Sequence, residues 1–269
     1  MRPRARAARG LVKGAAVRRG RRAGMGYVRA GAILATLASV PDATHAQRLA
    51  PLAPETVSVV AGPAQRPWVF AGLPAQKFPA TRYAFEGVSG SPVLRIETEG
   101  SYGNLLHRLD TAGAGVLSWR WRVERPLERA DLRTRQGDDV ALKVCALFDM
   151  PRDRVPFVER QLLRLAELRT GESLPTATVC YVWDASSPSG SVVPNAYTRR
   201  VRYLTLGAGS PTWESVRRDL ASDFVLAFGD ESTTVPRLRA IAVGADADNT
   251  GGRSLAFLAD LHLGEVPAR

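Results

Sequence analysis

The sequence predicts a mostly β protein, built as an antiparallel sandwich or barrel. Short segments of alternating apolar and polar residues recur between turn signals, and only two segments have helical spacing. A parallel sheet would need a helix in most of its crossovers, and ~220 residues are enough for a single sandwich with a large core. The nine predicted strands cover residues 82–86, 93–99, 103–109, 116–123, 140–148, 176–183, 197–206, 238–244 and 255–263.

The first 46 residues predict a secretory signal peptide. From Met25 the chain has a short basic start, an apolar stretch over 30–40, a break at Pro41, and small residues up to Ala46. Cleavage after Ala46 fits this layout, and the long basic run before Met25 makes Met25 an alternative start of translation. The apolar stretch is too short to cross a bilayer.

The charge of the chain is concentrated in this same segment. The whole chain has 37 Lys and Arg against 26 Asp and Glu, a formal +11, but residues 1–46 hold ten of the basic residues and one acid. The remaining 27 basic and 25 acidic residues leave a nearly neutral domain. Nucleic acid is therefore not an expected partner. No apolar run reaches the ~18 residues of a membrane span, so the mature chain is predicted to have no transmembrane segment.

The remaining elements follow in order. Residues 47–67, rich in Pro and Ala, predict a linker or a lead-in at a sheet edge, and one sandwich domain is predicted over 68–265. An amphipathic helix is predicted over 157–169, where apolar residues recur at helical spacing. A weaker helical pattern covers 214–223.

The segment LSWRWRV at 117–123 separates two strand faces. Alternation places Trp119 and Trp121 on one face and Arg120 and Arg122 on the other. In one interpretation the tryptophans belong to the core and the arginines are solvated. In the alternative, Trp119 and Trp121 form a platform on which a sugar stacks, so all four are candidate ligand-binding residues.

Four motifs in order resemble one family. They are WRWRV, GDDVALKVCALFD at 137–149, CYVWD at 180–184 and ADADNTGGRSLAFLADLHL at 245–263, and together they cover most of 68–263. This set is similar to the bacterial exported family known as domain of unknown function 3047. The resemblance implies a jelly-roll antiparallel β-sandwich related to carbohydrate-binding and galactose-binding-like modules, with one inserted helix. It implies no activity and no catalytic residues.

A short loop between two strands is a candidate calcium site. Asp246, Asp248 and Asn249 bring three oxygen side chains into four residues, before Gly251, and Ca²⁺ prefers such ligands. The alternative is a turn in which these side chains cap their own backbone. A structural calcium ion is the one cofactor that the sequence predicts.

Carboxylates supply the candidates for acid and base catalysis. Asp138 and Asp139 open the strand that carries Lys143, a further ligand-binding candidate, but neighbouring residues point to opposite faces of a strand. Glu97 and Glu99, two residues apart, share one face and are better spaced for glycoside chemistry.

Cys145 and Cys180 are the two cysteines of the chain. They lie on consecutive predicted strands, so a disulfide is a candidate if their Cα atoms come within ~6 Å. The alternative is a pair of buried thiols.

A loop rich in Ser, Pro and Gly at 185–194 has candidate ligand-binding residues on its borders. Trp183 and Asp184 precede it, and Tyr197 follows it. An aromatic face beside polar groups is what a sugar requires, whereas the plainer interpretation is a loop between ordinary strand ends.

These features predict an exported protein, periplasmic or secreted, that binds a glycan or another polar envelope ligand without catalysis. One alternative is an envelope glycan hydrolase or lyase that uses Glu97, Glu99, Asp138 or Arg122. The other is a structural envelope protein.

Overall fold

The protein consists of two β-sheets packed face to face. The structure is a computed structural model that describes residues 48–59, 66–87, 92–111, 113–184, 186–207 and 211–265, so the predicted signal peptide lies outside the described residues. In chain order the elements are β1 (Val57–Ser58), β2 (Trp68–Ala71), β3 (Arg82–Glu86), β4 (Val93–Glu99), β5 (Tyr102–Thr111), β6 (Val116–Arg125), β7 (Val140–Asp149), α1 (Phe157–Thr170), β8 (Ala177–Val182), β9 (Val192–Pro194), β10 (Val201–Thr205), β11 (Glu214–Asp219), α2 (Leu220–Phe228), β12 (Arg237–Asp246) and β13 (Arg253–Gly264).

The larger sheet has the strand order β1-β2-β5-β12-β7-β8-β10-β9, and the smaller has β11-β6-β13-β4-β3. Most neighbours are antiparallel, while the β1–β2 and β8–β10 pairs are parallel. The fold is therefore the predicted jelly-roll β-sandwich.

Within the described residues, neither helix is long and apolar enough to span a membrane.

The core between the sheets is rich in aromatic side chains. Trp119 and Trp121 on β6 meet edge to face, with ring centroids 5.6 Å apart, and Trp119 lies 5.2 Å from Tyr181 of the opposite sheet. Phe148 and Phe224 extend the cluster towards α2. Aromatic rings bury the largest apolar area per residue, so this cluster joins the two sheets.

Residues 48–59 pack on the edge of the larger sheet. Leu52 and Val57 are buried, and the Trp68 indole donates a hydrogen bond to Ala50 O at 3.0 Å. The linker prediction is wrong for these residues, because their apolar side chains complete the core. The edge-lying alternative describes them.

Two predicted elements differ from the structure. Residues 214–219 form the edge strand β11, which pairs with β6, and the helix begins only at Leu220. Asp219 sets this boundary, because its carboxylate accepts the N–H groups of Ala221 and Ser222 as an N-cap. The strand predicted from residue 197 begins at Val201, since Asn195 Oδ1 accepts the N–H groups of residues 197 and 198 and holds a turn there.

A disulfide bond joins Cys145 to Cys180. The two residues face each other on the neighbouring strands β7 and β8, with Cα atoms 4.0 Å apart. They lie on the face of the larger sheet that points away from the smaller sheet, and both are fully buried. The bond encloses α1, which connects β7 to β8.

Candidate functional site

Four aspartates meet where β7 begins and β12 ends. Asp138 and Asp139 precede β7, Asp246 ends β12, and Asp248 follows it. The two strands are antiparallel neighbours that place Asp246 opposite Val140, which brings two sequence motifs together. We call these four residues the aspartate cluster.

Lys143 supplies the positive charge within the cluster. Its Nζ lies 2.6 Å from Asp246 Oδ2, and the two side chains are only 1% and 7% exposed. The ammonium also lies 5.3 Å from the centre of the Tyr102 ring. Burial would lower the pKa of Lys143, but the facing Asp246, Tyr102 and Asp138 outweigh it and raise this pKa. Lys143 is therefore an internal counter-ion and not an accessible ligand-binding residue, which corrects the sequence prediction.

Asp138 accepts hydrogen bonds from two polar side chains, those of Tyr203 on β10 and of Asn195 before it. Its Oδ1 accepts from the Tyr203 hydroxyl at 2.8 Å, and its Oδ2 accepts from Asn195 Nδ2 at 2.6 Å. Burial, followed by the charge of Asp246, raises the pKa of Asp138 to about 7. An acid with this pKa suits proton transfer, but both of its oxygens already serve the internal network.

Two of the three calcium ligands predicted from the sequence, Asp246 and Asn249, are engaged by protein groups. Asp246 Oδ1 accepts the Val140 N–H at 2.9 Å, and its other oxygen meets Lys143. Asn249 Oδ1 lies 2.8 Å from the Tyr197 hydroxyl. Among the described residues, no three His, Cys, Asp or Glu side chains form a group that suits a metal. At Asp246 the ammonium of Lys143 already neutralises the carboxylate that a calcium ion would bind.

Tyr197 ties three loops together. Besides contacting Asn249, the Tyr197 hydroxyl donates a hydrogen bond to Arg135 O at 3.0 Å. The Arg135 guanidinium lies over the Tyr197 ring, 5.2 Å from its centroid. Asn249 in turn donates to Asp138 O and Asp139 Oδ1, each at 3.1 Å. The structure thus gives Tyr197 a bracing role where the sequence predicted ligand binding.

Asp248, the least buried residue of the aspartate cluster, should make the stability of the protein depend on pH. Burial raises the pKa of Asp248 to about 7, and the negative charges of Asp246 and Asp139 add to this effect. The positive charge of Lys143 acts in the opposite direction. The native state therefore retains a proton that the unfolded chain releases near pH 4, so this group makes stability fall as the pH rises from about 4 to about 7. Asp248→Asn should raise the free energy of unfolding by on the order of 1 kcal/mol at pH 8, a value reduced for partial exposure, and leave it unchanged at pH 4. Urea unfolding at both pH values checks this, and destabilisation at pH 8 would contradict it.

A half-enclosed cavity of about 180 Å³ adjoins the cluster through Asp139. The end of β8 contributes Trp183 and Asp184, and the loop before β7 contributes Glu128 and Leu132. We call it the Trp183 cavity. Its remaining lining residues are Leu127, Ala130, Val140, Ala141 and Ser186.

Hydrogen bonds fix two carboxylates of this cavity. Asp139 accepts the Thr250 N–H at 2.6 Å as well as the Asn249 side chain. Asp184 accepts the N–H and hydroxyl of Ser186 at 3.0 and 2.9 Å. The walls are therefore set before any ligand arrives, which lowers the entropic cost of binding. Of the predicted ligand-binding residues, the structure brings Trp183 and Asp184 together in one concave site.

Trp119 and Trp121 are 2% and 0% exposed, so the stacking-platform alternative is wrong. Arg120 and Arg122 lie on the opposite, solvent side of the smaller sheet, because charged guanidinium groups are costly to bury without partners. Arg120 pairs with Asp260 at 2.6 Å, and Arg122 lies over the Phe257 ring at 4.4 Å.

The Trp213 ring contacts the guanidinium groups of both Arg120 and Arg122. The two guanidinium groups lie 5.3 and 5.6 Å from the centre of its ring, which is half-buried on the outer face of the smaller sheet.

Glu97 and Glu99 lie on β4 of the smaller sheet and do not line this cavity. Both join an arginine ladder, in which Arg82 pairs with Glu97 at 3.3 Å and Arg253 pairs with Glu99. Burial acts to raise the pKa of Glu97, but hydrogen bonds and charges from Arg95 and Arg82 lower it overall. A carboxylate held in its ionised form is a poor general acid, so Glu97 does not suit that half of the predicted chemistry.

Sequence reasoning missed three contributors, namely Glu128, Ser186 and Tyr203. Glu128 lies in a loop without a recognisable motif, and Ser186 follows Asp184 in a polar loop where many serines occur. Tyr203 lies on a predicted strand. Alternation shows which residues share a face with Tyr203, but not that this face meets Asp138.

Comparison with known proteins identifies the family. A family model described as "Protein of unknown function (DUF3047)" matches residues 66–262. The chain belongs to this family. The resemblance inferred from the four motifs is thus confirmed, and the match includes every residue of the aspartate cluster and of the Trp183 cavity. A search of curated proteins finds no match.

Three solved structures with a similar fold are distant in sequence. Endoglucanase cel12A from Rhodothermus marinus is 11% identical with a TM-score of 0.37, over 69% of this chain and 86% of that one. The xyloglucanase domain of NopAA from Sinorhizobium fredii is 9% identical with a TM-score of 0.36, over 69% and 93%. TmCBM61, solved with β-1,4-galactotriose, is 10% identical with a TM-score of 0.32, over 74% and 89%. At these identities and scores the likeness carries no argument about function.

Proposed function

We propose that the protein binds a neutral or amino-containing glycan, or a chemically similar polyol, in the Trp183 cavity without transforming it. The observation that carries the proposal is the cavity itself, which sets an indole beside three carboxylates and a hydroxyl. An aromatic ring offers an apolar face, and carboxylate oxygens accept hydrogen bonds from sugar hydroxyl groups.

The size and charge of the cavity define the ligand further. A volume of about 180 Å³ is below the ~300 Å³ at which pockets for drug-sized ligands begin, so one sugar unit or a chain end is the expected occupant. The lining contains Glu128, Asp139 and Asp184, and among its described residues there is no Lys, Arg or His. Uronic acids and phosphates would be repelled, whereas an amino sugar would gain an ion pair.

Binding without catalysis is favoured by how the carboxylates are used. Asp139 accepts hydrogen bonds from the loop between β12 and β13, and Asp184 accepts them from Ser186, so both carboxylates shape the walls and have little freedom to exchange protons with a substrate. We also propose that the protein is exported to the periplasm or beyond. The Cys145–Cys180 disulfide supports this location, since such bonds persist mainly in oxidising compartments.

A glycan panel tests the proposal. Neutral, amino-containing and acidic oligosaccharides are titrated into the full chain, with calcium or with a chelator, and new reducing ends are measured in parallel. We expect binding of neutral or amino sugars, no product, and no dependence on calcium. Release of reducing ends would favour an enzyme, and preference for acidic glycans or no binding would overturn the proposal.

A further inference from the structure

The helix α1 presents its apolar side to solvent. Five large apolar residues of this single helix are between 45% and 83% exposed, and Leu163 is its one buried residue. The exposed residues are Phe157, Val158, Leu162, Leu165 and Leu168. A helix that serves only the core would turn this stripe inward, and large exposed apolar patches usually mark an interaction surface.

Both acidic residues of α1 form ion pairs. Glu159 pairs with the buried Arg200 at 3.4 Å, and Glu167 pairs with Arg152 at 2.5 Å and also accepts the Leu174 N–H. These contacts fix the helix with its apolar stripe outward. The inverted orientation is therefore imposed by ion pairs and is not a loose arrangement of the helix.

The charges that remain exposed on α1 are positive. Arg164 and Arg169 are exposed beside the apolar stripe and form no ion pair with any described carboxylate. In the preceding turn, Arg154 and Asp153 are both exposed and offset each other. The outward face of the helix thus combines apolar side chains with cations and no exposed acid.

A groove of about 850 Å³ lies along the same helix. Arg164, Leu165 and Leu168 line it from the helix, and Arg152 and Ser173 line it from the flanking turns. Glu167, which is paired with Arg152, and Glu172 also line it, so the groove places apolar surface beside two guanidinium groups and two carboxylates.

We propose that α1 docks the protein on the surface of an anionic phospholipid bilayer. The apolar stripe would enter the boundary between headgroups and acyl chains, while Arg164 and Arg169 meet lipid phosphates, as in amphipathic helices that lie in a membrane interface. A bilayer supplies both the apolar layer and the negative charge that this face lacks. The binding surface is separate from the Trp183 cavity, so it does not depend on the proposed function.

Fluorescent labels on the full chain test this proposal. Because both native cysteines are buried in the disulfide, Leu168→Cys provides a single reactive thiol for an environment-sensitive dye. Leu226→Cys on α2 is the matched control, since Leu226 is also an exposed leucine of a helix but has no basic residue beside it. Both variants keep the same N-terminal residues, so any binding through those residues affects them equally.

With vesicles that contain phosphatidylglycerol, we expect a blue shift of the dye at position 168 and none at 226. Phosphatidylcholine vesicles should give little shift. Phe157→Ser combined with Leu168→Ser should weaken vesicle partitioning at least about tenfold, and Arg164→Gln about fivefold. No shift at 168, or equal shifts at both positions, would overturn the proposal. A shift that grows with protein concentration and needs no lipid would assign the helix to a second copy of the chain instead.

Discussion

Lys143→Met should reduce the free energy of unfolding by about 3–5 kcal/mol at neutral pH. The variant leaves Asp246 buried without its counter-ion and beside Asp138, Asp139 and Asp248. Without the ammonium, the pKa of Asp246 rises further, so the native state takes up a proton that the unfolded chain does not hold. The loss should therefore be largest at high pH and shrink as the pH falls.

Urea unfolding of the Lys143 variant from pH 4 to pH 8 measures this effect. The double variant Lys143→Met/Asp246→Asn is the matched control, because it removes the uncompensated charge and keeps an oxygen for the Val140 N–H. It should recover more than half of the lost stability. A loss below ~1 kcal/mol in the single variant would contradict the ion pair as the centre of the cluster.

Replacing both cysteines with alanine should cost about 3–4 kcal/mol. The disulfide closes a segment of 35 residues. Releasing this loop raises the entropy of the unfolded chain, which lowers the free energy of unfolding by that amount at 25 °C. Unfolding of the wild type in the presence of a reductant should approach that of Cys145→Ala/Cys180→Ala.

The same reductant should leave the double alanine variant unchanged, which controls for effects of the reagent. The measured quantity is the urea midpoint of each protein with and without reductant. Equal midpoints for the oxidised wild type and the double variant would show that the bond contributes nothing to stability.

Strands that bury one face could be predicted well from the sequence. Residues 93–99 and 82–86 were predicted with the bounds of β4 and β3, because every second residue of β4 is buried. The edge strand β11 was missed, since its residues contact solvent on one face and its pairing with β6 is not encoded in its own apolar pattern. Its formation depends on a neighbour that no local pattern specifies.

The candidate site could be predicted only in pieces. Asp138 and Asp246 were each recognised in a separate motif, but their meeting and the contact of Asp138 with Asn195 require the strand order β12-β7-β8-β10. Alternation in β6 separated the tryptophans from the arginines without revealing which face is buried. The roles of Lys143 and Tyr197 could not be predicted, because a polar residue that braces loops has the same local sequence as one that binds a ligand.

The most direct test of glycan binding in the Trp183 cavity is a calorimetric titration with the best ligand from the panel. Wild type, Trp183→Ala and Trp213→Ala are compared, since Trp213 is a half-buried tryptophan on the other sheet. We predict that Trp183→Ala weakens binding at least about tenfold, while Trp213→Ala changes the dissociation constant less than about twofold. Unchanged affinity in Trp183→Ala, or an equal loss in both variants, would contradict the assignment of the site.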